Sequence, residues 1–165
     1  MKVSIIAAIT LDGFIGRTPN HHADWTPVED KKHYIRFTKE SGVMVMGSTT
    51  FDTMGKPLPG RKTVVYTSNP EKYANVDVQT TQSTPQELIE ELRRQGYNHI
   101  AICGGSHIYS MFLESGVVTD LYITIVPLLF GQGVSLLSDS SQAKLKLVEH
   151  SMLNDNTALH HYEVM

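Results

Sequence analysis

The chain of 165 residues has the length of one domain with a sizeable buried core. The net charge is −3, and the charged residues are interspersed without a basic stripe. This distribution argues against nucleic acid as a partner and favours a small molecule. A single cysteine, Cys103, excludes an internal disulfide framework and suits a reducing cytosol, and no apolar run approaches the ~20 residues of a membrane span. We therefore expect residues 1–165 to form one cytoplasmic domain, with no membrane partner, as a monomer or homodimer.

The N-terminal segment is predicted to form a strand followed by a loop. Residues 3–9 are a continuous apolar run, as in a strand that is buried on both faces. The segment GRTPNHHAD at 16–24 lacks periodicity and has the length of an active-site lid. His21 and His22 invite a metal interpretation, but no third ligand lies at a suitable spacing, so no metal is predicted.

The first helix is predicted to start at Thr26. Thr26 as N-cap, Pro27 at the first helical position and Glu29 three residues after the cap match a capping box. This pattern assigns Glu29 a structural role and leaves Asp30 to be explained.

Asp30 shares one face of this helix with Tyr34 and Phe37. The acid is either exposed at the favourable helix N-terminus or enclosed in an apolar cleft, where desolvation raises its pKa and fits it for proton transfer. Periodicity does not decide between the two, because Val28 and Ile35 make the opposite side of the helix apolar as well.

The middle of the chain contains a strand, a helix start and a rigid loop. Residues 43–46, VMVM, form a buried strand, and Gly47 and the three hydroxyl residues after it open a short helix whose free amides could bind an anion. The loop GKPLPGRK at 55–62 is stiffened by two prolines and carries Arg61. Its guanidinium could bind a carboxylate or phosphate, although a solvated surface turn is the commoner use of such a loop. A third strand covers 64–67.

A second capping box and a glycine pair mark the next two helices. Thr84, Pro85 and Glu87 start a helix that runs to about residue 95. The strand 100–103 then leads into Gly104 and Gly105, with Ser106 as N-cap of the following helix; a strand, glycines and a helix N-terminus make an anion site, or else a tight turn. Cys103 at the end of this strand is expected to be a buried structural thiol.

Strands at 121–126, 144–152 and 157–164 complete the pattern, the last two as an antiparallel pair around a turn at 154–156. Strands alternate with helices until the last third, which predicts a three-layer α/β domain with a mixed, mostly parallel central sheet of about eight strands and an antiparallel C-terminal edge. Ligands bind beyond the carboxyl ends of such strands. The turns at Gly47, Thr67 and Gly104 together suit a dinucleotide.

These motifs together resemble the dihydrofolate reductase family over nearly the whole chain. The segments that carry the resemblance are VSIIAAITLDGFIG, the acid in the first helix, VMVMG, GKPLPGRK, the Thr-Ser strand end, ICGGSHIY and LYIT. The resemblance implies NADPH as cofactor and hydride transfer to 7,8-dihydrofolate. It implies that Asp30 binds the pterin ring and assists its protonation, that Thr124 joins Asp30, and that Trp25 closes a water network beside them.

The same resemblance implies the residues that line the rest of the site. The substrate would contact Ile6, Ala8, Tyr34, Phe37, Met54 and Thr124, and Arg61 would bind the carboxylate of the glutamate tail. The cofactor would contact Ala7, Ile15, Gly47, Ser48, Thr49, Thr50, Tyr66, Thr67, Ser68, Cys103, Gly104, Gly105, Ser106, His107, Ile108 and Tyr109.

Four departures from the family pattern keep alternatives open, and one of them is a lid loop that is longer than usual. Ser48 and His107 stand where the family has basic residues, which leaves the choice between NADPH and NADH open. The segment PLLFGQG at 127–133 looks like the reductase domain of riboflavin biosynthesis, which shares the fold, is often dimeric and acts on a ribosylamino-pyrimidine phosphate. Glu29 would be the acid if the helix were rotated. A third alternative is a nucleotide-binding module without turnover.

Overall fold

A computed structural model describes residues 1–138 and 141–165 of the chain. Helices and strands alternate along most of its length. The strands are β1 (Lys2–Thr10), β2 (Phe14–Gly16), β3 (Val43–Gly47), β4 (Lys62–Tyr66), β5 (Gln79–Thr81), β6 (His99–Ile102), β7 (Asp120–Val126), β8 (Val134–Ser135), β9 (Leu145–Met152) and β10 (Ala158–Val164). The helices are α1 (Val28–Ser41), α2 (Ser48–Met54), α3 (Pro85–Arg94) and α4 (Ser106–Glu114), with a 3-10 turn at Pro70–Tyr73.

The main sheet has eight strands in the order β5-β4-β3-β6-β1-β7-β10-β9. All neighbours from β5 to β7 are parallel, whereas β10 runs antiparallel to both β7 and β9. The predicted mixed sheet with an antiparallel C-terminal edge is therefore confirmed. A separate antiparallel pair, β2 with β8, brings the start of the lid loop against the segment that follows β7.

The centre of the sheet is apolar on both faces because helices cover both. Val43, Met44, Val45 and Met46 of β3 have no solvent exposure, and they alternate between the two core clusters on opposite faces of the sheet. This burial on both faces explains why the strand reads as an unbroken apolar run. Cys103 lies in the same buried layer, as predicted.

The two predicted capping boxes differ in outcome. At α3 the Thr84 hydroxyl accepts a hydrogen bond from the Glu87 amide and the Glu87 carboxylate accepts one from the Thr84 amide, so this box is confirmed. The prediction of a capping box at the start of α1 is wrong. Pro27 is the N-cap residue there, and the Thr26 hydroxyl points back and donates to the carbonyl of Ala23.

Helix α4 also starts one residue earlier than predicted. Gly105 is its N-cap and Ser106 its first residue, and the Ser106 hydroxyl donates to the Ser135 carbonyl at 2.7 Å. The short strands β2, β5 and β8 were not predicted, because two or three residues carry no detectable periodicity. None of the helices that the structure describes has the length and hydrophobicity needed to cross a membrane.

Candidate active site

One cavity of about 1020 Å³ lies beyond the carboxyl ends of the central strands. The second half of β1, the ends of β3 and β4 and the turn after β6 form its floor, and the lid loop and α1 form one wall. We call the part against α1 the substrate half and the part against the N-termini of α2 and α4 the cofactor half. Most of the residues predicted for the site line this cavity, including Trp25, Asp30 and Gly105.

Asp30 is the acid of the substrate half. It lies in the first turn of α1, is only 9% exposed, and accepts a hydrogen bond from the hydroxyl of Thr124, with the Thr26 hydroxyl beside it. Burial raises the pKa of Asp30 above its usual value of 3.8, and the two hydroxyls offset only part of this effect. Glu29 instead accepts a hydrogen bond from Asn154 Nδ2 at 3.2 Å outside the cavity. The structure therefore brings Asp30, and not Glu29, into the cavity.

The face of α1 that carries Asp30 is the one that meets the protein. Val28 on the other side is 56% exposed, whereas Ile35, which is 49% exposed, lies at the edge of the cavity. Tyr34 lines the cavity beside Asp30 and its hydroxyl is hydrogen-bonded to the Cys103 thiol. Burial raises the pKa of Cys103 to about 12, so this thiol stays protonated.

Three residues predicted for the substrate half lie outside the cavity lining. Phe37 is 7% exposed and packs between Tyr122 and His99, with ring centroids 4.5 Å and 5.2 Å away, because one further helical turn takes it beneath α1 onto the sheet. Thr124 is buried in β7 below Asp30 and reaches the cavity only through that carboxylate.

Arg61 is the third. Its Nη1 donates to the carbonyl of Ile35 at 2.9 Å and to the hydroxyl of Thr38, while Nε and Nη2 both donate to the carbonyl of Pro59. The predicted open fork for a carboxylate is thus turned toward α1, because the proline loop packs against the exposed carbonyls of that helix. The remaining predicted substrate contacts line the cavity: Ile6, Ala8, Tyr34 and Met54.

Backbone groups build the cofactor half. The amide of Gly47 donates to the carbonyl of Gly104 at 2.8 Å, which joins the turn before α2 to the turn before α4. Gly104 has a φ of +100°, and a Cβ there would lie 2.9 Å from the Tyr109 hydroxyl. A Cβ on Gly105 would lie 3.2 Å from Thr50 Oγ1. The glycines therefore allow the chain to pass where no side chain fits.

The predicted cofactor contacts come together around these turns. Gly104 itself does not line the cavity but supports it from behind. The first amides of α4 have no acceptor inside the helix, which leaves them for an external group. The contacts that line the cavity are Ala7, Ile15, Gly47, Ser48, Thr49, Thr50, Tyr66, Thr67, Ser68, Cys103, Gly105, Ser106, His107, Ile108 and Tyr109.

The donor set of this half fits a dinucleotide. Tyr66 Oη is a buried polar atom that has no hydrogen-bond partner within the described residues, so it can serve a bound molecule. Within residues 1–138 and 141–165, no lysine or arginine lines the cofactor half, and His107 is the nearest basic side chain. Amides and hydroxyls would hold the phosphates there.

The segment 127–133 holds the lid loop, a role that its sequence did not indicate. The ring of Phe130 contacts the guanidinium of Arg17 at 4.1 Å and the indole of Trp25 at 5.3 Å. Asp12 fixes this ring, because its carboxylate accepts hydrogen bonds from the amides of Phe130 and Gly131. These contacts join residues more than 100 positions apart, so no local pattern could have revealed them.

The lid histidines line the cavity, and the Nδ1 atom of His21 accepts a hydrogen bond from the Arg17 amide at 3.0 Å. Within the described ranges, no group of three or more His, Cys, Asp or Glu side chains is arranged to hold a metal ion. Sequence reasoning also missed Lys31, Ile35 and Leu58 as lining residues. The position of Lys31 directly after Asp30 on α1 was the available signal.

Comparisons with known proteins agree with this geometry. The sequence model of the family described as dihydrofolate reductase matches residues 2–165. Dihydrofolate reductase of Staphylococcus aureus is 32% identical over 127 residues, which are 76% of this chain and 72% of that protein.

Two solved structures show the same fold. Dihydrofolate reductase from Enterococcus faecalis, complexed with NADP(H), has a TM-score of 0.80 at 23% identity and covers 99% of this chain and 96% of its own. A protein from Shewanella sp. PV-4 that is assigned to riboflavin biosynthesis has a TM-score of 0.82 at 21% identity and covers 100% of this chain and 99% of its own. Since the family model spans nearly the entire sequence, this chain belongs to the dihydrofolate reductase family.

Proposed function

We propose that this protein reduces 7,8-dihydrofolate to tetrahydrofolate with NADPH. The observation that carries the proposal is the buried carboxylate of Asp30, which faces the same cavity as the Gly105 turn. The family membership supports an oxidoreductase that uses this cofactor, and the Enterococcus faecalis relative is complexed with NADP(H).

In the proposed reaction, bound NADPH supplies the hydride, and the chain supplies alignment and one proton route. Asp30 binds the pterin ring through its carboxyl group, and its raised pKa keeps a proton available near neutral pH better than an exposed aspartate would. Thr124 holds the carboxylate from below. Trp25 covers it from the lid side, where its unpartnered Nε1 can bind a water that connects to Asp30.

The cofactor would lie across the two joined turns. The amides at the start of α4 would hold the pyrophosphate, with Ser48, Thr49 and Thr50 opposite. Thr67 and Ser68 would hold the adenosine phosphate. Ala7 and Ile15 would pack beside the nicotinamide near Tyr109 and Cys103, and all four residues line the cavity that Asp30 also lines.

The test is the loss of NADPH absorbance with dihydrofolate in the parent and in Asp30→Asn. We expect the substitution to lower kcat/KM by about 10²- to 10⁴-fold, the contribution of a positioned acid, and to leave NADPH binding unchanged. Glu29→Gln is the matched control, because it removes the neighbouring carboxylate outside the cavity. Equal activity of Asp30→Asn and the parent would overturn the assignment of this acid.

A second candidate is reduction of a ribosylamino-pyrimidine phosphate, which is favoured by the likeness to the Shewanella protein and by the 127–133 segment. Turnover of that substrate, without turnover of dihydrofolate, would replace the first proposal. NADPH binding without turnover of either substrate would indicate a nucleotide-binding module instead.

A further inference from the structure

Two histidines face each other across the C-terminal hairpin formed by β9 and β10. The register of the two strands places His150 directly opposite His160, and the ring centroids are 6.4 Å apart. His150 is exposed and His160 is half-buried, on an edge strand that is exposed along its whole length. One ion bonded to a nitrogen of each ring at ~2.0–2.1 Å would hold the centroids about 5–6 Å apart, so a small side-chain rotation brings both rings into bonding distance.

Each ring has a nitrogen that is available to an ion. Nδ1 of His160 is hydrogen-bonded to the Tyr162 hydroxyl at 2.9 Å, which orients the ring and leaves Nε2 for a ligand. A metal-bound histidine usually has its second nitrogen hydrogen-bonded in this way. The ring of His150 has no hydrogen-bond partner among residues 1–138 and 141–165, so either of its nitrogens can turn toward His160. The pair therefore offers two imidazoles, one of them already oriented.

Met152 supplies a third ligand on the same face of the hairpin. It follows His150 by two residues and lies opposite Ala158, so its side chain is on the side that carries both histidines. Diagonal neighbours across two strands are about 7–8 Å apart, a distance that a flexible methionine side chain can span. The Met152 side chain is 59% exposed and can therefore fold over the histidine pair without displacing another residue.

The charge distribution of the hairpin favours a soft, monovalent ion on this face. The charged residues of the two strands lie on the other face, where strand alternation places Lys146, Glu149, His161 and Glu163. Among the paired residues of β9 and β10, the histidine face has no carboxylate, and its other members are Leu145, Leu147, Ala158, Tyr162 and Val164. Two neutral imidazoles and a thioether suit Cu(I), because thioethers select this soft ion, whereas divalent ions commonly take carboxylate or thiolate ligands.

This cluster lies away from the cavity. His160 pairs with Ile123 of β7, whereas the next residue pair joins Leu159 to Thr124, the residue that supports Asp30. Because successive residues of a strand point to opposite faces, His160 is on the face of the sheet opposite Asp30. None of the three ligands lines the cavity.

We propose that His150, His160 and Met152 bind one Cu(I) ion on the outer face of the β9–β10 hairpin. The ion would join the edge strand to its neighbour through side chains, in addition to the hydrogen bonds of the ladder, and would therefore stabilise the folded hairpin. Binding involves no change in the oxidation state of the copper. The inference is independent of the proposed reduction, since it uses no residue of the cavity.

The experiment titrates the full chain with Cu(I) in the absence of oxygen, in competition with the chelator bathocuproine disulfonate. The absorbance of the chelator complex reports the copper that the protein has not bound. The variants are His150→Gln, His160→Gln and Met152→Leu, which approximately keep the size of each side chain. His22→Gln is the matched control, because His22 is an exposed histidine of the lid loop. Zn²⁺ is titrated in parallel as a divalent probe.

We expect the parent to bind one equivalent of Cu(I). Each glutamine variant should bind it about 100-fold more weakly, because loss of a ligand costs at least as much as the 10- to 100-fold loss that follows removal of a residue supporting a ligand. Met152→Leu should weaken Cu(I) binding about tenfold and leave Zn²⁺ binding unchanged, since only the soft ion uses the thioether. His22→Gln should bind Cu(I) as the parent does.

Unchanged Cu(I) binding in either glutamine variant, or an equal loss in His22→Gln, would overturn the site. Cu(I) binding by Met152→Leu as tight as that of the parent would overturn the copper assignment. Thermal unfolding without copper checks that the variants fold, and their Tm should equal that of the parent. The ring NMR signals of His150 and His160 in the parent provide a test without substitutions: Cu(I) should shift both, and unchanged signals would contradict the proposal.

Discussion

The two halves of the cavity are built from different parts of the polypeptide. In the substrate half, side chains of α1 define the chemistry, with Asp30 deep in the cavity and Tyr34 beside it. In the cofactor half, glycines and helix amides define it, and the joined turns at Gly47 and Gly104 bring these groups together. Side chains can be exchanged with little effect on the fold, whereas backbone turns cannot. Substitutions in the two halves should therefore affect activity and stability to different extents.

The largest effect on folding is expected for Gly104→Ala in the cofactor half. The positive φ and the contact with the Tyr109 hydroxyl should together lower the free energy of unfolding by about 3 kcal/mol. Gly116→Ala is the matched control, because Gly116 also has a positive φ but no atom lies within 4 Å of the added Cβ. It should cost only about 1–2 kcal/mol. Urea unfolding measures both, and equal costs would show that the Tyr109 contact is not limiting.

An intermediate effect is expected for Tyr109→Phe, which links the two halves. The Tyr109 hydroxyl is buried and donates to the Ile6 carbonyl at 2.8 Å. Removing it leaves that carbonyl unpaired, which should cost about 1–3 kcal/mol in urea unfolding. Tyr162→Phe removes a hydroxyl that contacts His160 in a half-buried position, and it should change stability much less. A cost for Tyr109→Phe no larger than for this control would contradict the proposed link.

The smallest effect on stability is expected for Asp30→Asn, and it should be favourable. A carboxyl whose pKa is raised in the folded protein holds its proton more tightly there than in the unfolded chain. The free energy of unfolding therefore falls as the pH rises from 3.8 through the higher pKa of the folded state, and stays lower above it. Asp30→Asn removes this loss, so its Tm should exceed that of the parent at pH 7, and the difference should vanish below pH 3.8.

Glu29→Gln is expected to change Tm in the opposite direction from Asp30→Asn. The helix N-terminal backbone and Asn154 hold the pKa of Glu29 below its usual value of 4.5, so this acid favours folding above that pH, and its contribution is lost as the pH falls. The substitution should lower Tm slightly at pH 7. If both variants shifted Tm in the same direction, the difference between the buried and the exposed acid would be refuted.

Local patterns in the sequence predicted the features that depend on near neighbours. The strand at Val43–Gly47, the capping box at Thr84 and the glycine turn before α4 each rest on residues within a few positions of one another. Burial on two faces requires an unbroken apolar run, and a cap requires a hydroxyl at a fixed spacing. Such requirements can be recognised from the sequence alone. The order of elements then indicated the sheet class and the edge at which ligands bind.

The tertiary structure decided which candidates meet in space. Thr26 and Thr84 carry the same capping pattern, yet only Thr84 uses it, because the Thr26 hydroxyl is taken by the carbonyl of Ala23. Asp30 was selected over Glu29 by the rotation of α1 on the sheet. That rotation depends on how a whole helix packs against distant strands, and no local pattern records it.

Local patterns also failed to predict the positions of three further side chains, those of Arg61, Lys31 and Phe130. Arg61 had the expected motif but is bound by α1, whereas Lys31 had no motif and lines the cavity. Phe130 reaches the lid only because Asp12, 118 positions earlier in the chain, accepts a hydrogen bond from its amide. The sequence determined the elements and the chemical groups available to the site, since these follow from short-range sterics and hydrophobic period. Which groups face the cavity depended on long-range packing, which exists only once the chain is folded.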